Sequence, residues 1–399
     1  MTELFYPEET AVAYIFTRIA NHLSKSYKVS VICGPEYYDS NKDKFVDDIH
    51  VSKAIEIHRI KSLDLDKNLL FQRSIKLIIL SLRIGSMMFR KISKGETVIL
   101  STNPAPLLIV ARVIKYFKNF QLHILVHDVF PENTIPAKIF KNNKVVIFRI
   151  LKYFFDKAYS CADHLIVIGR DMKEIISTKV NGSKTFPVIS VVTNWSNPEK
   201  FKLIARKFDP NRIILQYAGN LGRVQGLEEI LKAFRLSNNK NLCFNIRGSG
   251  ALYSVIENII KNSNSGNINL NGSFSRNDEN EILADCDIGI VSLVDGMFGL
   301  GVPSKSYHLL SAGKPILYIG VPETEISCMV LENEIGWSLD IRNQIGMIEF
   351  FKNLSSIDSN TLMFMGQKAR LLAENKYSEI RVLELLQLKI ESVKTIGKN

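Results

Sequence analysis

Two glycine-bearing turns carry the residues best suited to chemistry. The first reads Tyr217-Ala218-Gly219-Asn220-Leu221-Gly222-Arg223. The second reads Gly299-Leu300-Gly301-Val302-Pro303-Ser304-Lys305 and continues into Tyr307-His308-Leu309-Leu310-Ser311-Ala312-Gly313-Lys314-Pro315. Glycine permits positive φ and lets main-chain amides come close to a ligand. Arg223 offers forked donors that match a phosphate, and Lys305, at the expected start of a helix, adds a compact positive charge. Amides and cations gathered at a helix start form an anion site. Two such turns in one half of the chain suit a nucleoside diphosphate, with the amides of Gly222 and Ser304 and the side chains of Arg223 and Lys305 meeting its charge. Arg247-Gly248-Ser249-Gly250 is a third glycine turn after a strand; it reads equally well as an ordinary tight turn.

In the first half, Leu125-Val126-His127-Asp128-Val129-Phe130-Pro131-Glu132 closes an apolar run, which places His127 and Asp128 at the carboxyl edge of a strand. Histidine can hydrogen-bond a sugar hydroxyl or move a proton near neutral pH, and Asp128 could orient it. The competing reading is a capping aspartate beside a satisfied histidine. Asp285-Cys286-Asp287 lacks a third ligand in view, so no metal site is expected.

Short apolar runs alternate with helical patterns along all 399 residues. Strands are expected near 28–33, 97–101, 121–126, 165–168 and 188–192, and then near 212–217, 242–246, 268–270, 288–292, 315–319 and 336–339. Continuous Val, Ile and Leu runs indicate strands buried on both faces of parallel sheets. The fold class is therefore α/β, with two doubly wound, Rossmann-like domains facing across a cleft. Residues 1–196 form the first domain and 197–375 the second, with a polar linker over 194–211; 376–399 form a terminal helix that could pack back on the first domain. Thr2-Glu3-Leu4-Phe5-Tyr6-Pro7 reads as the exit from a strand with only Met1 before it, so the first strand of the sheet looks missing.

The net charge of +11 is uneven: residues 1–196 hold 28 basic and 18 acidic side chains, and the rest hold 23 and 22. That asymmetry calls for an anionic partner on the first half. Residues 67–95 contain seven basic residues and no acid, with Arg73, Lys76, Arg83, Arg90 and Lys94 on one helical face, as expected of a helix lying on an anionic membrane surface. No aromatic and basic pattern of a nucleic-acid binder is present. Five scattered cysteines read as reduced thiols, and no signal peptide or membrane-spanning run occurs, which points to a cytoplasmic protein.

The chain resembles glycosyltransferase family 4 of the GT-B fold over essentially its whole length. Phe5-Tyr6-Pro7-Glu8-Glu9, His127-Asp128-Val129-Phe130-Pro131-Glu132, Asn194-Trp195-Ser196-Asn197, Tyr217-Ala218-Gly219-Asn220-Leu221-Gly222 and Val302-Pro303-Ser304-Lys305 carry the resemblance, which is strongest to the bacterial branch that builds O-antigen, capsule and exopolysaccharide. It implies a retaining transferase whose second domain holds a nucleotide-sugar donor and whose first holds a lipid-linked saccharide acceptor, peripheral on the inner face of the cell membrane. Donor binding would fall to Gly219, Asn220, Gly222, Arg247, Gly248, Ser304 and His308, catalysis to His127, Asp128, Arg223 and Lys305, with no cofactor and no metal. Where the family often places two basic residues this chain has Asn220 and Gln225, and where it often places two glutamates it has Leu300 and His308. Two other readings stay open: a sugar-nucleotide epimerase built on the same two-domain plan and, from the missing acids and the missing first strand, an inactive nucleotide-sugar-binding partner in a polysaccharide assembly complex.

Overall fold

The structure, a computed structural model, describes residues 1–396 apart from 9, 37–49, 64–69, 183–185, 205–207 and 263–265, so Glu9 of the early motif and Lys67 of the basic stretch lie outside the described residues. The first half contains strands β1 (Ser30–Cys33), β2 (Glu56–Arg59), β3 (Thr97–Ser101), β4 (Gln121–Val126), β5 (His164–Val167) and β6 (Val188–Val191). Its helices are α1 (Ala11–Leu23), α2 (Leu70–Lys91), α3 (Pro106–Phe117), α4 (Val146–Ser160) and α5 (Arg170–Val180). The second half contains β7 (Ile213–Ala218), β8 (Leu242–Arg247), β9 (Ile268–Asn271), β10 (Ile288–Ser292), β11 (Ile316–Gly320) and β12 (Gly336–Asp340). Its helices are α6 (Leu227–Ser237), α7 (Tyr253–Lys261), α8 (Glu279–Ala284), α9 (Lys305–Ser311), α10 (Glu325–Glu332), α11 (Gln344–Asn353), α12 (Ser359–Asn375) and α13 (Glu379–Ile396).

All the paired strands are parallel. The second half forms one six-stranded sheet in the order β12-β11-β10-β7-β8-β9. Its strand order reverses between β10 and β7, so the loops leaving those two strands flank a crevice at their carboxyl ends. The inner strands β7, β8, β10 and β11 are buried on both faces because helices cover both sides, with Gln216, Asn245 and Ser292 the buried polar side chains among mostly apolar ones.

The first half pairs β3-β4-β5-β6 and, separately, β1-β2. The opening residues join the two groups. Thr2 donates to the Ile32 carbonyl at 3.2 Å, and the Met1 carbonyl accepts from Ser101 at 3.0 Å. The buried Met1 amine donates to the Ile99 carbonyl at 2.7 Å. A stub of two or three residues thus occupies the place between β1 and β3 where the sequence shows no full strand.

Helix α13 crosses to the first half. Its Val382, Leu383, Leu386 and Ile390 share a core with Phe16, Ile19, Ala20 and Leu23 of α1. At the crossing, Ser196 donates to the Tyr377 carbonyl at 2.8 Å and Glu379 donates back to the Ser196 carbonyl at 3.1 Å. Helix α2 corrects one expectation. Lys76, assigned to an exposed basic face, is buried, whereas Phe71, Ile78, Leu82 and Phe89 are exposed; Lys94 lies beyond the helix end. Burial of Leu80, Ile84 and Met88 against the sheet sets the helix rotation, and the apolar pattern does not run cleanly on one side.

Candidate active site

The loop leaving β7 and the loop leaving β8 run side by side. Gly219 donates to the Arg247 carbonyl at 2.9 Å and Leu221 to the Ser249 carbonyl at 2.9 Å. The approach is so close that a Cβ on Gly248 would lie 1.9 Å from the Gly219 carbonyl oxygen, and both glycines hold φ near +140° (+137° and +143°). Only glycine fits there. The loop leaving β10 joins the same assembly, because Val294 donates to the Val224 carbonyl at 3.0 Å.

Lys305 closes the crevice. Its Nζ lies 3.5 Å from the centre of the Tyr217 ring and 3.4 Å from the position a Gly219 Cβ would take. The side chain as a whole is half-buried, but the Nζ is covered and has no hydrogen-bond acceptor. Burial holds its pKa well below the ordinary lysine value. A cation over an aromatic face gains some compensation, far less than a carboxylate or phosphate would give. The site therefore favours an arriving anion.

The first half supplies the opposite wall. The Val129 amide donates to the Leu300 carbonyl at 3.2 Å, and Asp128 forms a bridge with Gly301, whose Cβ would stand 3.6 Å from Asp128 Oδ1. Burial raises the Asp128 carboxyl to about 6. His127 packs against Phe16, ring centres 5.7 Å apart; its Nδ1 is covered without a partner, and burial lowers its pKa to about 4, so the imidazole is neutral at pH 7. Asp128 makes no hydrogen bond to the His127 ring, contrary to its expected orienting part. The hydroxyl of Thr102 instead accepts from both main-chain amides at 3.3 Å.

The remaining expected residues are spread unevenly. Asn220 accepts from the Tyr217 hydroxyl through its main-chain carbonyl at 2.7 Å, and its Nδ2 lies 3.0 Å from a Gly222 Cβ position. Arg247 approaches Asp285 at 3.9 Å, with its Nε covered and unpartnered. Ser304 occupies the cap position of α9 without a side-chain cap bond, and that helix has only seven residues. Arg223 is exposed and touches no described residue by hydrogen bond or ion pair, so no contact places it beside Lys305. His308 is held by Glu279 at 2.5 Å and tilts over Phe201.

Several contributors had no signal in the sequence. Glu279 brings an acid to His308 from α8, 29 positions away. Leu300, at the other place where an acid was expected, is buried in the joint between the halves. Asp171 accepts from the Gly299 amide at 3.2 Å, and Arg170 pairs with Glu325 at 3.0 Å. Gln225 has a covered Oε1 without a donor. Glu279, Asp171, Arg170 and Glu325 sit in no recognisable local pattern; each is brought in by the packing of distant elements.

Two parallel-sheet domains with anion-ready loops at the switch point of one and a strand end of the other define a GT-B architecture. The fold is shared with sucrose-phosphate synthase from Thermosynechococcus elongatus (TM-score 0.72, 13% identity, 100% of this chain and 96% of that one). It is shared as well with WaaG, a glycosyltransferase involved in lipopolysaccharide biosynthesis (TM-score 0.64, 13% identity, 96% and 97%). A structure described as trehalose-6-phosphate from E. coli bound with UDP-2-fluoro glucose aligns with TM-score 0.70 at 12% identity over 99% and 98%. No protein-family model matches the chain. Over 342 residues, 84% of each sequence, it is 32% identical to the probable glycosyltransferase WbjE of Pseudomonas aeruginosa. The chain belongs to the glycosyltransferases of the GT-B fold.

Proposed function

We propose that this glycosyltransferase moves a hexosyl or N-acetylhexosaminyl unit, with retention, from a nucleoside diphosphate donor to a lipid-linked saccharide. The setting is surface polysaccharide biosynthesis, O-antigen or capsule, at the cytoplasmic face of the cell membrane. The carrying observation is Lys305: a covered ammonium with no acceptor, set against Gly219 where the loops from β7 and β10 meet. Departure of the nucleoside diphosphate builds negative charge on its β-phosphate. A cation and amides already fixed there stabilise that charge more in the transition state than in the ground state. Gly219, Asn220, Gly222, Arg247, Gly248 and Ser304 line the donor side, Arg223 reaches in from solvent once the donor is bound, and the Glu279-braced His308 meets the nucleotide. Neutral His127 holds a sugar or acceptor hydroxyl. Retention without a carboxylate nucleophile is carried by analogy with the family's front-face route.

Support for the setting comes from relatives: WaaG is described as acting in lipopolysaccharide biosynthesis, and other solved neighbours carry UDP or a UDP-sugar. The basic first half suits a lipid-bound, anionic acceptor. Among the described residues no helix is long and apolar enough to cross a membrane, so attachment would be to the surface.

A screen of nucleotide-sugars with membrane extract as acceptor, following nucleoside diphosphate release and transfer to lipid, tests the reading. Lys305→Ala should lower turnover about 10²-fold in that assay; near-normal turnover would remove Lys305 from the reaction. Cations supplied by side chains leave no task for a divalent ion, so EDTA should change the rate less than about twofold. A large loss reversed by Mg2+ would contradict the metal-free reading.

A further inference from the structure

We propose that the outer face of α4, with the basic segment leading into it, docks on an anionic lipid bilayer and sinks its apolar ridge there; this rests on the reading of the acceptor as lipid-linked. The inner stripe of α4 is ordinary: Phe148, Phe155, Ala158 and Tyr159 are buried. The opposite stripe of a helix on a water-facing layer should be polar. Here it holds Val146, Ile147, Ile150, Tyr153 and Phe154, each between 43% and 68% exposed. At 3.6 residues per turn, Val146, Ile150, Tyr153 and Lys157 fall on one line, with Ile147 and Phe154 beside it. Tyr153 and Phe154 pack edge to face, ring centres 5.6 Å apart.

Charge selects the occupant. Lys138, Lys141, Lys144, Arg149 and Lys157 are exposed around the ridge. The acid between 138 and 157 is Asp156, and it is engaged by Lys152 at 2.8 Å and Lys179 at 2.6 Å. A second copy of the chain would set these cations against their own kind. Anionic headgroups match them, with lysine stems lying along the apolar ridge and the ridge entering the acyl boundary. Helix α3 packs beside α4 and α2 beside α3, and both show exposed apolar side chains, among them Tyr116, Phe117, Leu82 and Phe89. Exposed apolar side chains thus recur on three neighbouring helices.

The position fits the chemistry. Pro136 lies against the donor half, 3.8 Å from a Gly296 Cβ position, and Phe140 packs on Phe148 of α4 with centres 5.8 Å apart. The segment from Asp128 to Val146 thus runs from the cleft to the docking face. A saccharide on a lipid anchored under α4 would stand at the mouth of the cleft.

Flotation of the full chain with vesicles of phosphatidylcholine, and of phosphatidylcholine mixed with phosphatidylglycerol, tests the proposal. The wild type should float with the mixed vesicles and not with phosphatidylcholine alone. Lys141→Gln with Lys144→Gln should weaken flotation about thirtyfold, the equivalent of about 1 kcal/mol per cation. Ile150→Glu with Phe154→Glu should lose at least tenfold. Both double variants should melt at the wild-type temperature and keep wild-type transfer to a detergent-dispersed acceptor. Undiminished flotation of either variant overturns the proposal, as does a wild type that ignores phosphatidylglycerol. A wild-type dimer that Ile150→Glu with Phe154→Glu splits would assign the face to a second copy and overturn it too. Absence of transfer by the wild type in detergent would instead count against the transferase reading, whatever the vesicles show.

Discussion

Lys305 is a burden on the free protein. Its ammonium is covered, lacks an acceptor and has only the Tyr217 ring to offset desolvation. Exchange for an apolar side chain of similar length should therefore stabilise the fold while removing activity. Lys305→Met is expected to gain about 1 kcal/mol or more, read as a rise in Tm of roughly 2–4 °C, in the same preparation that has lost turnover. A fall in Tm would show that the cation already has a partner. At this scale the sequence was informative where residues act with their immediate neighbours. Gly219, Lys305, His127 and Asp128 stand in short patterns whose local geometry follows from residue type. Thr102, Asp171 and Glu279 were invisible, because each acts on a residue at least 25 positions away.

Elements were legible in proportion to how fully they are buried. The expected strands at 97–101, 121–126 and 288–292 coincide with β3, β4 and β10, which are mostly apolar and largely buried. Strand β2 went unseen: Glu56-Ile57-His58-Arg59 is mostly half-buried and polar, and its strand character comes from pairing with β1. Inside the first sheet, neighbouring strands bring two histidines together. His123 and His164 face each other with Nδ1 atoms 3.1 Å apart, and His164 also meets Ser190 at 2.9 Å. Burial, reinforced by nearby Lys389, lowers His164 to about 4 from an ordinary 6.5. The unfolded chain then binds the proton more tightly, so the stability from a neutral His164 is complete above pH 6.5 and is lost as pH falls to 4. His164→Asn should shift in favour of the variant by up to about 3 kcal/mol between pH 7 and pH 4 in urea titrations. The raised carboxyl of Asp128 acts with the opposite sign over a similar range, but it is common to both proteins and cancels in the difference. A pH-independent difference would mean that His164 binds its proton as tightly in the folded state as in the unfolded chain.

The halves are tied into one molecule by contacts far apart in the chain. Glu379, at the start of α13, is buried and accepts from the Tyr14 hydroxyl at 2.9 Å while pairing with Arg18 of the same helix α1. Because Arg18 is over a third exposed, its share is reduced by water. Glu379→Ala should still cost about 2 kcal/mol, since Tyr14 loses its acceptor. Urea denaturation read by fluorescence would show it, and a loss under 0.5 kcal/mol would mean that α13 is held by its apolar side chains alone. The sequence by itself determined the α/β class, the buried strands and the glycine turns, because hydrophobic periodicity and φ freedom are properties of neighbouring residues. Only the tertiary structure decided that the turns after β7 and β10 converge on Lys305, that Asp128 meets Gly301, that His308 takes an acid from α8 and that α4 turns an apolar ridge to solvent. Those facts depend on the strand order and on which helix faces the sheets bury, and neither is a function of local sequence.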